Sequence, residues 1–120
     1  MDRFIQFLQR LNDNFRPEGL VSKRILFRYR DRGRLRTLTA EVAPGIDRGP
    51  IRIAFNPRLF VSGYEFNPSD QMDRPVLRRL YLEDVLEIEI EQIDIEHPDR
   101  RESIHWLRNR RGKLMPFTKG

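Results

Sequence analysis

Arginine is the residue type in this sequence whose number and spacing point most directly to chemistry. Its planar guanidinium group forms paired hydrogen bonds with phosphate and carboxylate oxygens. In the run 24–30, Phe27 and Tyr29 alternate with arginines, so a strand would turn the two rings to the core and the arginines to solvent. The arginines then remain available for phosphate groups. We predict phosphate or nucleic-acid contacts at Arg28, Arg30, Arg78, Arg79, Arg108, Arg110 and Arg111.

Charge is distributed along the chain in three blocks, although the formal net charge is only +5. Residues 23–36 contain seven lysines and arginines against Asp31 alone, and residues 100–120 contain seven against Glu102. Between them, residues 83–99 contain eight carboxylates and no lysine or arginine. Two interpretations stay open. The basic segments either attract polyanions such as DNA or RNA, or pair with the acidic segment across a sheet.

The residues required for common catalytic and cofactor sites are scarce. The chain has no cysteine, and His97 and His105 stand in no recognisable nucleophile–base or metal-ligand pattern. The seven glycines are scattered, and none opens a helix as in a phosphate-binding loop. The carboxylates of residues 83–99 alternate in part with apolar residues, which is typical of a solvated strand face. We therefore predict no catalytic residue, no metal site, no cofactor and no enzymatic activity.

Length and composition indicate one folded domain. The 120 residues, 38% of them hydrophobic and 34% charged, suit a thin core with a heavily charged surface. No apolar run approaches the roughly 20 residues that span a bilayer, and the N-terminus lacks a signal-peptide pattern. The absence of cysteine suits a reducing compartment. We expect a cytoplasmic protein without a membrane partner.

Short β-rich runs occupy the middle of the chain. The first two, 24–30 and 34–42, flank Asp31-Arg32-Gly33, which predicts a hairpin because glycine tolerates a positive φ. Further strands are predicted over 51–55, 59–66 and 76–82. Gly63 marks either a bulge or a close backbone approach. The segment 67–75, rich in proline and aspartate, is predicted to be a loop.

The clearest strand begins at residue 85, where leucine and isoleucine alternate with glutamate. In that pattern Ile88 and Ile90 share one face. Ile93 and Ile95 are out of phase with them, so we expect a β-bulge near Gln92.

Helices are predicted at both ends. Apolar residues recur at helical spacing within 1–18, at Phe4, Ile5, Phe7, Leu8, Leu11 and Phe15. A second helix, within a basic segment and tail at 99–120, is predicted from Asp99 as its N-cap and Gly112 as its C-terminal signal.

These elements predict a mostly β (α+β) domain with a β core at 23–97 and N- and C-terminal helices. Five to six strands would form a small barrel or a bent antiparallel sheet. The basic segment at 100–120 is expected to be separable from that core, so that deletion of 108–120 would leave a cooperative fold.

Four segments follow one another in a recognisable order, namely Ile25–Arg30, Val42–Pro44, Leu59–Tyr64 and Arg78–Val85. In this order residues 24–91 resemble the WYL domain, an Sm-like or SH3-like β-barrel of bacterial and phage regulators that usually follows a winged-helix DNA-binding domain. Leu59-Phe60-Val61 stands where the family has its Trp-Tyr-Leu motif. Asp84 stands where it has a late arginine of its ligand-binding surface.

The resemblance implies a noncatalytic regulatory barrel that binds a nucleotide or nucleic acid, with Arg28, Arg78 and Arg79 as the remaining candidate contacts. Together with the basic segments, it predicts a binding module for nucleic acid or another phosphate-bearing ligand. The alternative is a protein-interaction or assembly module, with a protein partner or a homodimer, that uses the N-terminal helix and the acidic strand.

Overall fold

The computed structural model describes residues 3–13, 23–42, 60–65 and 76–117. The elements, in chain order, are α1 (Arg3–Asp13), β1 (Lys23–Asp31), β2 (Arg34–Val42), β3 (Phe60–Glu65), β4 (Val76–Tyr81), the 3₁₀ turn η1 (Leu82–Asp84), β5 (Glu87–Asp94), β6 (Arg101–Arg108) and β7 (Leu114–Phe117). The strand predicted over 51–55 and the loop over 67–75 lie outside the described residues.

The seven strands form one open antiparallel sheet in the order β4-β3-β2-β1-β5-β6-β7. The mostly β prediction is therefore confirmed, but the described strands exceed the five to six expected. Because side chains alternate across a strand, the sheet has two faces. We call the face that carries Ile25, Phe27 and Tyr29 the inner face, and the opposite one the outer face.

The predicted hairpin between β1 and β2 is confirmed, and its turn consists of two residues. Arg32 and Gly33 have φ values of 53° and 78°, and they join the opposed residues Asp31 and Arg34. Positive φ at both central positions is the backbone of a turn whose twist matches that of the strands. This turn sets the register that continues to Lys23 opposite Val42.

The acidic strand β5 lies inside the sheet, between β1 and β6. Its pairing with β6 is unbroken from Glu87 opposite Leu107 to Ile93 opposite Arg101, so the bulge expected near Gln92 is wrong. A bulge would disturb hydrogen-bond ladders on both sides of this interior strand. In the continuous strand, Ile93 takes the outer face with the glutamates.

Helix α1 covers the inner face of the sheet with an apolar stripe. Its residues Phe4, Phe7, Leu8 and Leu11, spaced three and four apart, are buried. The rings of Phe4 and Phe7 lie 5.0 and 5.3 Å from the ring of Trp106 in β6, which is itself buried. Within the described part of the chain, no helix is long and apolar enough to cross a membrane.

The predicted C-terminal helix is wrong, because residues 101–117 form the β6–β7 hairpin. Ile104 and Trp106 face inward at the two-residue spacing of a strand, and β5 offers its free side as a pairing partner. Pairing with an existing sheet outweighs local helix signals. Gly112, expected to end a helix, has a φ of 78° in the turn between the strands.

Candidate anion-binding pocket

An open pocket of about 470 Å³ lies between the ends of β1 and β2 on one side and β4 with η1 on the other. In the sheet order two strands separate β1 from β4, so the sheet curves to bring them to one pocket. The charged residues that line this basic pocket are Arg30, Arg36, Arg78, Arg79, Asp31 and Asp84. Four guanidinium groups therefore face two carboxylates.

Glu65, at the end of β3, anchors two of these arginines from beside the pocket. Its Oε2 atom lies 2.8 Å from Nε of Arg78 and 3.6 Å from Nη1 of Arg36. The Nε atom of Arg36 also lies 3.4 Å from Oδ2 of Asp31. Glu65 and Asp31 together hold the two arginines in position and offset their two positive charges.

The other two arginines, Arg30 and Arg79, have no carboxylate partner among the described residues. Arg30 makes a 3.5 Å hydrogen bond from Nη1 to the carbonyl of Gly33. The guanidinium carbon of Arg79 lies 5.0 Å from the ring centroid of Phe60, a cation–π contact that leaves its N–H groups unused. Both side chains are exposed and can donate to an anion.

Tyr29 contributes a neutral donor to the same pocket. Burial raises the pKa of its hydroxyl, and the negative charge of Glu65 raises it further, while Arg36 acts in the opposite direction. A tyrosine ordinarily ionises near pH 10, so Tyr29 stays protonated throughout the physiological range. Its O–H group can therefore donate a hydrogen bond to a ligand oxygen.

Arg28, a predicted phosphate contact, lies on the outer face and is engaged by the acidic strand. Its Nη1 atom is 2.9 Å from Oε1 of Glu89, and its Nη2 atom is 3.5 Å from Oε1 of Glu91. At the other end of β1, Lys23 makes a 3.5 Å hydrogen bond to Gln92. Of the two interpretations of the charge blocks, pairing across the sheet therefore holds at Arg28.

Arg108, another predicted phosphate contact, joins the β6–β7 hairpin to η1. Its guanidinium group donates to the carbonyl oxygens of Leu82 at 2.5 Å, Val85 at 2.8 Å and Gly112 at 2.6 Å. The side chain is half-buried. Most of its N–H groups thus donate to backbone carbonyl groups and are not available to a ligand.

The remaining predicted contacts, Arg110 and Arg111, lie outside the pocket in the turn between β6 and β7. Both are exposed, and no ion pair within the described residues involves either one. The seven predicted arginines are therefore divided among the pocket, the outer face, the η1 junction and this turn.

Arg36 and Tyr29 were missing from the sequence-based site, although a signal for them existed. In a two-residue hairpin turn, counting outward from Arg32 and Gly33 places Arg36 opposite Tyr29, as found. Glu65 carried no such signal, because β3 joins β2 through tertiary pairing. Within the described residues, no three histidine, aspartate or glutamate side chains converge as metal ligands.

Comparisons of this chain with protein-family models, with curated proteins and with solved structures found no match.

Proposed function

We propose that this protein is a noncatalytic regulatory or binding module for a phosphate-bearing ligand, whose phosphate group binds in the basic pocket. The observation that carries the proposal is the position of Arg30 and Arg79 at the pocket without a carboxylate partner among the described residues. An exposed guanidinium group without an internal anion retains its full capacity for an external one. A nucleotide and the phosphates of DNA or RNA supply the same chemistry.

The side chains of the pocket have different roles, and these roles support the proposal. Glu65 and Asp31 hold Arg36 and Arg78 in place and offset their charges, so the uncompensated positive charge of the pocket is that of Arg30 and Arg79. Arg30 and Arg79 supply movable donors, and Tyr29 supplies a neutral one. Each charge-assisted hydrogen bond to phosphate is worth about 1.5–3 kcal/mol, so Arg30 and Arg79 would contribute measurably to the affinity for a phosphate group.

A small Sm-like or SH3-like barrel, as in the WYL domain, is part of the same proposal. Two features support it. The turn η1 leads directly from the edge strand β4 to the interior strand β5, and β1 and β4 both line one pocket. Arg78 and Arg79, which the resemblance implicates, both line that pocket. Asp84 lines it as well, which lowers its positive potential relative to a site with arginine there. The cytoplasm, where nucleotides and nucleic acids occur, is the proposed location.

The alternative of a protein-interaction module receives no support from the surfaces first considered for it. The apolar stripe of α1 is buried against the sheet, and β5 is paired on both sides. Neither surface is therefore open to a partner strand or helix. A homodimer through other surfaces would be detected by size-exclusion chromatography with light scattering.

Isothermal titration calorimetry at low salt tests the proposal. The protein is titrated separately with inorganic phosphate, adenosine monophosphate and a short mixed-sequence oligonucleotide. We expect saturable binding, and an Arg30→Gln, Arg79→Gln double variant should bind inorganic phosphate and adenosine monophosphate at least about tenfold more weakly because two charge-assisted donors are lost. The loss that this variant causes for each of the three probes shows which of them uses the pocket.

The matched control is Arg100→Gln, Arg101→Gln, which removes two exposed positive charges from the opposite end of the sheet and leaves the pocket unchanged. Its affinity should stay within about twofold of the wild type, since an exposed charge at a distance is largely screened. Absence of saturable binding, or equal losses in the pocket variant and the control, would overturn the proposal.

A further inference from the structure

We propose that two basic turns at one end of the sheet bind the phosphate backbone of a nucleic acid, and that they do so independently of the pocket. The β1–β2 turn contains Arg32 and is followed by Arg34, while the β6–β7 turn, residues 109–113, contains Arg110, Arg111 and Lys113. All five side chains are exposed, and no ion pair within the described residues involves them.

The register of the sheet places both turns at the same end. Because β5 is antiparallel to β1 and to β6, the end of β1, the start of β5 and the end of β6 coincide. The turns are three strand spacings apart in the sheet order, or about 14 Å along the sheet at about 4.8 Å a spacing. A polymer with repeated phosphates can contact both turns at this separation.

Hydrogen bonds that do not involve the side chains of Arg110, Arg111 or Lys113 shape the β6–β7 turn. The Oδ1 atom of Asn109 accepts from the backbone N–H groups of Arg111 at 2.9 Å and Lys113 at 3.0 Å. The N–H group of Gly112 donates to the carbonyl of Asn109 at 3.0 Å. The turn is thus held by backbone groups and the side chain of Asn109. The guanidinium groups of Arg110 and Arg111 do not contribute to it.

The β1–β2 turn places an arginine where the backbone disfavours one. Arg32 has a φ of 53°, in the left-handed region that asparagine and glycine occupy at lower energy in two-residue turns. Residues held in such conformations concentrate at functional sites. Arg32 is exposed at this position, and no ion pair within the described residues involves it.

Carboxylates at this end of the sheet are already engaged. Asp31 contacts Arg36, and Oε1 of Glu87 lies 2.6 Å from Nε2 of His105. At the opposite end, the connection between β5 and β6 carries Glu96 and Asp99, and Asp94 precedes it. Arg100 and Arg101 offset part of that negative charge, whereas the five cations of the two turns have no carboxylate partner among the described residues. The end that carries the turns therefore attracts a phosphate polymer.

Fluorescence anisotropy with labelled mixed-sequence duplex DNA and single-stranded RNA tests the proposal. The wild-type protein should bind saturably at low salt, with an affinity that falls linearly in a plot of log K against log salt. An Arg110→Gln, Arg111→Gln variant should bind about tenfold more weakly or worse, and its salt slope should be smaller by about two.

The matched control is Arg100→Gln, Arg101→Gln, which removes two exposed positive charges from the opposite end and should change affinity by less than about twofold. Arg32→Asn provides a readout that a structural role would not produce. Its Tm should rise by about 2–4 °C because strain is relieved, while its nucleic-acid affinity falls.

Arg79→Gln separates this proposal from the pocket, since it should weaken binding of phosphate or adenosine monophosphate and lower nucleic-acid affinity by less than the turn variant does. Three outcomes would overturn the inference: no saturable binding to either nucleic acid, equal losses in the turn variant and the opposite-end control, or an Arg79→Gln loss as large as that of the turn variant.

Discussion

At the residue scale, Arg108 shows how one guanidinium group can hold together parts of the chain that are far apart in sequence. Its three acceptors belong to η1, to the residue that follows η1, and to the β6–β7 turn. The N–H group of Val85 also donates to the carbonyl of Leu82, at 3.2 Å. The pocket wall formed by η1 is therefore positioned by an arginine that does not itself enter the pocket.

We predict that Arg108→Gln lowers the free energy of unfolding by about 2–3 kcal/mol, because hydrogen bonds from a charged donor are lost and part-buried carbonyl groups are left unpaired. The control, Arg110→Gln, should change it by less than about 0.5 kcal/mol, as is usual for exposed positions without partners. Urea unfolding followed by circular dichroism measures both. Equal stabilities of the two variants would contradict the role assigned to Arg108.

At the element scale, the close approach of β3 to β2 depends on Gly63. A Cβ atom added there would lie 3.2 Å from Cβ of Leu38 and 3.3 Å from the carbonyl oxygen of Thr39. Leu38 is fully buried, and Thr39 belongs to the paired backbone of β2 and lies opposite Tyr64, so neither has room to withdraw. Of the two meanings that the sequence allowed for Gly63, the close backbone approach is the one observed.

Gly63→Ala should therefore destabilise the protein by about 1–3 kcal/mol, as overpacking of a filled interior usually does. The same change should weaken ligand binding in the pocket, because β3 also carries Glu65, which positions Arg36 and Arg78. Thermal unfolding and phosphate titration of the variant measure these two effects. A Gly63→Ala protein with unchanged or raised stability would show that β2 and β3 can separate without cost.

At the scale of the whole molecule, the β6–β7 hairpin is part of the core. Trp106 and Leu114 are buried, and the rings of Phe4 and Phe7 in α1 pack on Trp106. Removal of the hairpin's second strand would leave the edge of β6 unpaired and would remove the contacts of α1 with β7. The basic C-terminal segment consequently has a structural role beside its charge.

Deletion of residues 108–120 should abolish the cooperative thermal transition, contrary to the expectation of a separable segment. The deletion removes the buried Leu114 side chain, worth about 1.5–3 kcal/mol, and the Arg108 hydrogen bonds, worth a similar amount or more, from a domain of ordinarily small net stability. The control keeps the chain intact and replaces only Arg110 and Arg111 by glutamine. A truncated protein that melts cooperatively near the wild-type temperature would contradict this view.

Local sequence patterns determined those elements whose signals come from near neighbours. Phe4, Phe7, Leu8 and Leu11 share one helical face through backbone geometry alone, and Gly33, which tolerates a positive φ, marked the turn between β1 and β2. Counting outward from a two-residue turn at Arg32 and Gly33 places Tyr29 opposite Arg36. These features could be predicted because they follow from residues close together along the chain.

Tertiary pairing alone decided the rest. The segment 101–108 carries helix signals but becomes a strand, since the free side of β5 satisfies its backbone groups and the inner face buries Trp106. The curvature that brings β4 beside β1 decided which arginines line the pocket, and the position of β5 decided that Arg28 meets Glu89. Each of these outcomes depends on contacts between segments distant in sequence. The energies of such contacts cannot be predicted from a pattern of neighbouring residues.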